Sequence, residues 1–165
     1  MKLLFWIAIL LIPQLAFTQS KYPDHVGDIA FDAKFDDPTF KICSEHSVHH
    51  QYYNFGKGVQ YKGEKPAIEK HFKEVYSNKM QGETGYITIR FVVNCDGKTG
   101  RFRVQEMNNN YESKIFNKSL VARLLTLTKQ LNGWIIGIDS NNKKVDYYQY
   151  LTFKIENGKL LEILP

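Results

Sequence analysis

The stretch from Gly85 to Val104, GYITIRFVVNCDGKTGRFRV, constrains the fold more than any other part of the chain. Its first half alternates between two sets of side chains, which are Ile87, Ile89, Phe91 and Val93 on one side and Tyr86, Thr88, Arg90, Val92 and Asn94 on the other. An unbroken period of two is typical of a half-buried strand. Asp96-Gly97 suits a turn, and Phe102 and Val104 then alternate with Arg101 and Arg103. The sequence therefore predicts a β-hairpin with one apolar face and one basic, polar face.

Two amphipathic segments can cover the apolar face of this hairpin. Pro66 suits the start of a helix, which continues to about Asn78 and places apolar residues on one face: Ile68, Phe72, Val75 and Tyr76. The second helix is expected to be capped by Ser113 and to end at Asn132-Gly133. Its apolar stripe is Phe116, Leu120, Leu124, Leu127 and Leu131.

Three further strands are expected after the second helix. They span a short apolar stretch from Trp134 to Ile138, a long alternating stretch from Val145 to Ile155, and an edge strand from Leu160 to Leu164. Asn157-Gly158 is a strong hairpin signal between the last two. The expected fold is α+β in two layers, an antiparallel sheet with two helices packed on one face.

The first 57 residues divide into two segments. Residues 1–19 are expected to be a signal peptide, since an apolar run from Leu3 to Ile12 follows Lys2 and precedes small residues. An uncleaved membrane anchor is the alternative. Residues 20–57 form an N-terminal extension, irregular or with short strands, which either folds onto the domain at residues 58–165 or folds upon binding.

The two cysteines, Cys43 and Cys95, are an even count in a chain expected to be exported. We therefore expect a disulfide, with two separate buried thiols as the alternative. Such a bond would tie the extension to the tip of the central hairpin.

No residue pattern indicates catalysis, a metal or a cofactor. His46, His49 and His50 match no ligand spacing and are interpreted as surface histidines. The GKTG sequence at 97–100 joins two strands and lacks the spacing of a phosphate-binding loop. The net charge of +5 includes no run of five Lys or Arg, so nucleic-acid binding is not expected. We expect a protein that is not an enzyme.

Several of these segments resemble the C-terminal domain of TonB, the energy transducer of Gram-negative envelopes. YKGEKPAIEKHFKEVY from Tyr61 is similar to the opening helix of that family, and the hairpin from Gly85 is similar to its glycine–strand–Asn-x-Asp-Gly hairpin. Gly133-Trp134 and the LTF sequence at 151–153 are similar to its tryptophan and closing strand. The mature region lacks the Pro-rich linker that full transducers carry.

The resemblance implies a non-catalytic domain in the periplasm or envelope of a Gram-negative bacterium. Its partner would be a protein, such as an outer-membrane transporter, that adds a strand to an exposed sheet edge in the context of transmembrane transport. By position, the strand from Val145 to Ile155 is the expected edge. The residues expected to contact the partner are Tyr148, Tyr150, Arg90, Arg101 and Arg103. Two alternatives stay open: the tyrosines only cover the sheet, or the chain is a stand-alone, disulfide-stabilised accessory protein.

Overall fold

A computed structural model describes residues 27–44, 48–56, 58–76 and 82–165. The predicted signal peptide at residues 1–19 and His46 lie outside the described residues. The strands are β1 (His50–Gln51), β2 (Gly85–Val93), β3 (Thr99–Met107), β4 (Gly137–Ile138), β5 (Lys144–Val145), β6 (Tyr147–Glu156) and β7 (Lys159–Leu164). The helices are α1 (Glu64–Val75) and α2 (Lys118–Gln130), and a 3-10 turn covers Tyr52–Phe55. Within the described ranges, no helix has the length and apolar character needed to cross a membrane.

The main sheet is mixed rather than purely antiparallel. Its order is β1-β6-β2-β3, and β7 also pairs with β6. Strand β2 is antiparallel to both β3 and β6, whereas β1 is parallel to the start of β6. The α+β class with two helices is confirmed. The purely antiparallel expectation was wrong because the N-terminal extension contributes a strand of two residues, which is too short to show an alternating pattern.

Strand β6 is internal, so the expectation that the stretch from Val145 to Ile155 is an exposed edge was wrong. One side of β6 pairs with β2 from Tyr147 to Ile155. The other side pairs with β1 at Tyr147 and Tyr148 and with β7 from Thr152 onward. The long strand expected from sequence is also interrupted at Asp146, between β5 and β6.

Both helices contribute to the core on one face of the sheet, as the stripes predicted. This core contains Ile68 and Phe72 of α1, the leucines of α2, and the inward side chains Ile87, Ile89, Phe91 and Val93 of β2. Helix α2 begins later than expected, because its N-cap is Asn117 and not Ser113. The Asn117 side chain accepts a hydrogen bond from the Ser119 N–H. Ser113 instead forms a bridge with Met107, and the Lys114 N–H donates to the Glu106 carbonyl oxygen.

The second face of the sheet is covered by residues 27–44, which we call the strap. The strap and nearby residues form a second apolar cluster of Ile29, Val48, Val92 and Tyr148, with Phe40, Ile42 and Tyr150 packed against it. Arg90 and Val92 are consequently only 3% and 0% exposed. The prediction of a half-buried strand holds for the start of β2, where Tyr86 and Thr88 stay partly exposed. It was wrong from Ile89 to Val93, where both faces are buried.

A disulfide between Cys43 and Cys95 ties the end of the strap to the tip of the hairpin, as predicted. The buried Asp146 carboxylate lies beside it and accepts hydrogen bonds from the backbone N–H groups of Cys43, Ser44 and Cys95 at 2.7–2.9 Å. These three bonds compensate for burial of the charge.

Gly100 provides a test of how closely the strap approaches the sheet. A Cβ atom at Gly100 would overlap the Phe40 ring, so Gly100→Ala must displace that ring. We expect Gly100→Ala to lower the free energy of unfolding by about 1–3 kcal/mol, the usual cost of overpacking. In a Phe40→Ala background the same change should cost much less, since the clashing ring is gone. Urea unfolding of the four proteins measures this difference, and an equal cost in both backgrounds would contradict the packing of Phe40 on Gly100.

Candidate functional site

The structure brings the five predicted partner-binding residues together on the second face of the sheet. Arg90 of β2 lies directly across from Arg103 of β3 and from Tyr150 of β6. Tyr148 lies across from Val92, one step toward the hairpin tip. Arg101 has a left-handed backbone, with φ of 54°, at the irregularity in the β2–β3 pairing. These residues form a contiguous basic and aromatic surface.

The three arginines of this surface already hold the backbone of the strap. Arg90 Nη2 donates to the Gly27 carbonyl oxygen. Arg101 Nη1 donates to the Ile29 carbonyl oxygen at 3.0 Å, and Arg103 Nη2 donates to that of Ala30 at 2.7 Å. Carbonyl groups along the start of the strap are therefore bound by side chains from two neighbouring strands. The arginines therefore bind this part of the strap as an extended peptide, through its main chain.

Arg103 also forms a two-pronged ion pair with Asp36 of the strap. Nη1 lies 2.8 Å from Oδ1, and Nη2 lies 2.8 Å from Oδ2. Parallel arginine–carboxylate bonds of this kind are among the stronger polar contacts in proteins. Hydrogen bonding to Arg103 outweighs the opposing effect of burial and lowers the pKa of the Asp36 carboxyl below its ordinary value.

The two tyrosines are bound by the extension as well. The Tyr148 hydroxyl donates to Asp28 Oδ1 at 2.8 Å and accepts from the Ile29 N–H at 3.1 Å. Burial, together with the Asp28 carboxylate, raises the pKa of Tyr148 to about 12. The Tyr150 hydroxyl donates to Gln51 Oε1. The structure thus places both tyrosines against residues of the same chain, in line with the alternative that they cover the sheet.

Sequence reasoning missed the strap residues that complete this surface, in particular Asp28, Asp36 and Phe40. A signal was present, because the acidic extension and the basic face of the hairpin have complementary charge, and Cys43 and Cys95 connect them. Neither feature specifies which carboxylate of the extension pairs with which arginine of the hairpin. Asp146 lies in the stretch from Val145 to Ile155 that was predicted as one long strand, and nothing local in the sequence marks it as a buried acid.

One cluster among the described residues has the residue types of a metal site. Sγ of Cys43, Sγ of Cys95 and a carboxylate oxygen of Asp146 lie within 4.8 Å of one another. The two sulfurs are bonded to each other, and the carboxylate is engaged by three N–H groups. A disulfide and its supporting carboxylate account for this cluster. His49 is exposed, and the His50 ring lies 5.9 Å from the Phe55 ring.

No protein-family model, curated protein or solved structure matches this chain. The resemblance to the C-terminal domain of TonB therefore stays a prediction from the sequence. The structure adds an α+β fold with an intramolecular disulfide and a mixed sheet, covered by the helices on one face and by the strap on the other.

The ion pair between Asp36 and Arg103 makes the stability depend on pH. The folded pKa of Asp36 is lowered, so its contribution is complete above the unfolded value near 4 and is lost as the pH falls through the folded value. Asp36→Asn should lower the free energy of unfolding at pH 7 by about 1–3 kcal/mol. The difference from the wild type should shrink below about pH 4.

The matched control is Asp96→Asn, which makes the same charge change at an exposed position in the hairpin turn. It should leave stability at pH 7 nearly unchanged. Thermal unfolding of the three proteins between about pH 3 and pH 7 tests the assignment. If the difference in stability between the wild type and Asp36→Asn stayed constant over this range, the ion pair could not be its origin.

Proposed function

We propose that this protein is a non-catalytic binding domain of the cell envelope that binds an extended segment of a partner protein by strand addition. The observation that supports the proposal is the outer edge of β3. Within the described ranges no strand pairs with that edge, and contact is limited to its end, where Ser113 bridges Met107. An open edge offers unpaired backbone donors and acceptors to a partner strand.

The backbone of β3 identifies Val104 as the centre of this edge. The Glu106 carbonyl oxygen accepts from the Lys114 N–H, so Glu106 directs its backbone groups away from β2. Antiparallel pairing alternates this direction, and Val104 and Glu106 are separated by one residue in regular pairing. Val104 therefore presents both its N–H and its carbonyl oxygen outward, where a partner strand can reach them.

The resemblance to the TonB domain suggests an outer-membrane transporter as the partner. The disulfide fits an oxidising compartment such as the periplasm, where such a partner would be met. The edge for pairing is β3 in this proposal, in place of the internal β6. The role of the arginines and tyrosines is then to hold the strap, while the partner binds beside them.

A stand-alone, disulfide-stabilised accessory protein is the second candidate. The observation in its favour is that the strap already occupies the basic and aromatic face. Every one of the five residues expected to contact a partner bonds to the extension. In this alternative the β3 edge has no partner strand and the domain acts through other surfaces.

Val104→Pro tests strand addition directly. Proline removes the outward N–H and leaves the pairing with β2 intact, since that N–H does not contribute to it. We expect recovery of an outer-membrane transporter, captured on the purified protein from the detergent-solubilised envelope of the source bacterium, to fall by about tenfold or more. Quantitative mass spectrometry of the captured proteins provides the measurement.

Val104→Ala is the matched control, because it trims the same side chain and keeps the N–H. It should retain capture, and unfolding curves should show both variants folded. Equal capture by wild type and Val104→Pro would refute pairing at this edge. Failure of the wild type to capture any transporter would favour the accessory role.

A further inference from the structure

A groove of about 560 Å³ lies on the second face of the sheet, beyond the point where the strap begins. Its lining includes Thr88, Arg90, Gln105, Tyr111, Ile115 and Tyr150. Its volume is in the range of known ligand sites. Gly27, the first described residue of the strap, binds Arg90 at its border. The groove therefore continues the surface that the strap covers.

Arg90 lines this groove and has two side-chain nitrogens without a hydrogen-bond partner in the part of the chain that the structure describes. The residue is only 3% exposed, yet Nε and Nη1 have no hydrogen-bond partner among the described residues. The guanidinium carbon lies 4.2 Å from the centre of the Tyr148 ring and 5.4 Å from that of Tyr150. These rings hold the cation in place without neutralising it. A buried guanidinium in this state is suited to an acceptor supplied by a ligand.

The other charges around the groove are already engaged. Arg103 is paired with Asp36, and Lys114 Nζ lies 3.2 Å from the Glu83 carboxylate. Glu106 Oε2 accepts from the Phe116 N–H. Of the cationic side chains that line the groove, Arg90 is therefore the one without a carboxylate partner in the described part of the chain.

The rim of the groove is apolar and exposed. Ile115 is 85% exposed and Tyr111 is 70% exposed, although the Tyr111 ring is held by stacking on Tyr86 at 5.4 Å. Two large apolar side chains that the fold leaves uncovered, next to a cation, indicate a ligand with both characters. A peptide with a carboxylate next to an apolar side chain has both the negative charge and the apolar surface that such a site requires.

We propose that this groove binds an acidic, extended peptide segment of a partner protein. One carboxylate of the peptide reaches Arg90, and an apolar side chain packs on Tyr111 and Ile115. The strap supports this choice, because it is itself an acidic, aromatic segment, DIAFDAKFDDPTF at 28–40, bound by the arginines of the same face. The site borders the open part of β3, because Val104 also lines the groove, but the contacts proposed here are made by side chains and not by the β3 backbone. It does not depend on strand addition.

The test uses the full chain and a fluorescently labelled hexapeptide of alternating aspartate and phenylalanine. Binding is measured by fluorescence anisotropy, with a second peptide that carries asparagine in place of aspartate. We expect the aspartate peptide to bind at least about tenfold more tightly than the asparagine peptide, and salt to weaken it. Gln105→Glu places a negative charge in the groove and should weaken binding by about tenfold.

Gln130→Glu, an exposed position at the end of α2, is the matched control and should bind like the wild type. Tyr111→Ala removes the apolar rim without altering Arg90 and should also weaken binding. The proposal is overturned by equal affinity for the two peptides, by equal losses in Gln105→Glu and Gln130→Glu, or by absence of binding. Self-association that Gln105→Glu abolishes would assign the groove to a second copy of this chain and would likewise overturn it.

Discussion

The contact between three arginines and the main chain of the strap is the interaction on which the rest of the structure depends. Arg90, Arg101 and Arg103 project from adjacent strands and bind carbonyl oxygens within residues 27–30. The Asp36 carboxylate and the disulfide at Cys43 then fix the remainder of the strap. Because of these contacts the sheet is the middle of three layers, and β2 is buried on both faces from Ile89 to Val93. Each of the three guanidinium groups donates to a carbonyl oxygen of the strap, which offsets part of the cost of its burial.

Covering this face decides where a partner can bind. A bare basic and aromatic sheet face would be an obvious contact surface, and the strap occupies most of it. Among the described residues, the edge of β3 around Val104 and the groove beside Arg90 stay accessible next to it, and Val104 belongs to both. They differ in chemistry. The first offers backbone groups and so accepts many sequences, whereas the second combines a buried cation with an apolar rim and so selects acidic, apolar segments.

The local elements were predictable because their signals are local. The alternation in β2, the leucine stripe of α2 and the Asn157-Gly158 turn each follow from neighbouring residues, and the even cysteine count predicted the disulfide. The placement of the strap was not predictable in this way. An arginine that binds the carbonyl oxygen of Ile29 leaves no trace in the sequence, since every residue carries a carbonyl. The internal position of β6 was missed for a related reason, because its long pairing with β2 joins residues that are far apart in the sequence and no local pattern indicates it.

Amide hydrogen exchange at Ile29, followed by NMR in the oxidised protein, tests the central claim most directly. The Ile29 N–H donates to the buried Tyr148 hydroxyl at 3.1 Å, at the opposite end of the strap from the disulfide. We predict that this amide exchanges at least about a hundredfold more slowly than an unstructured one, a difference set by the free energy of local opening. Phe31, a residue of the same segment that is 48% exposed, provides a comparison. Exchange of Ile29 at the unstructured rate would mean that the strap does not hold the sheet, and the three-layer arrangement would be wrong.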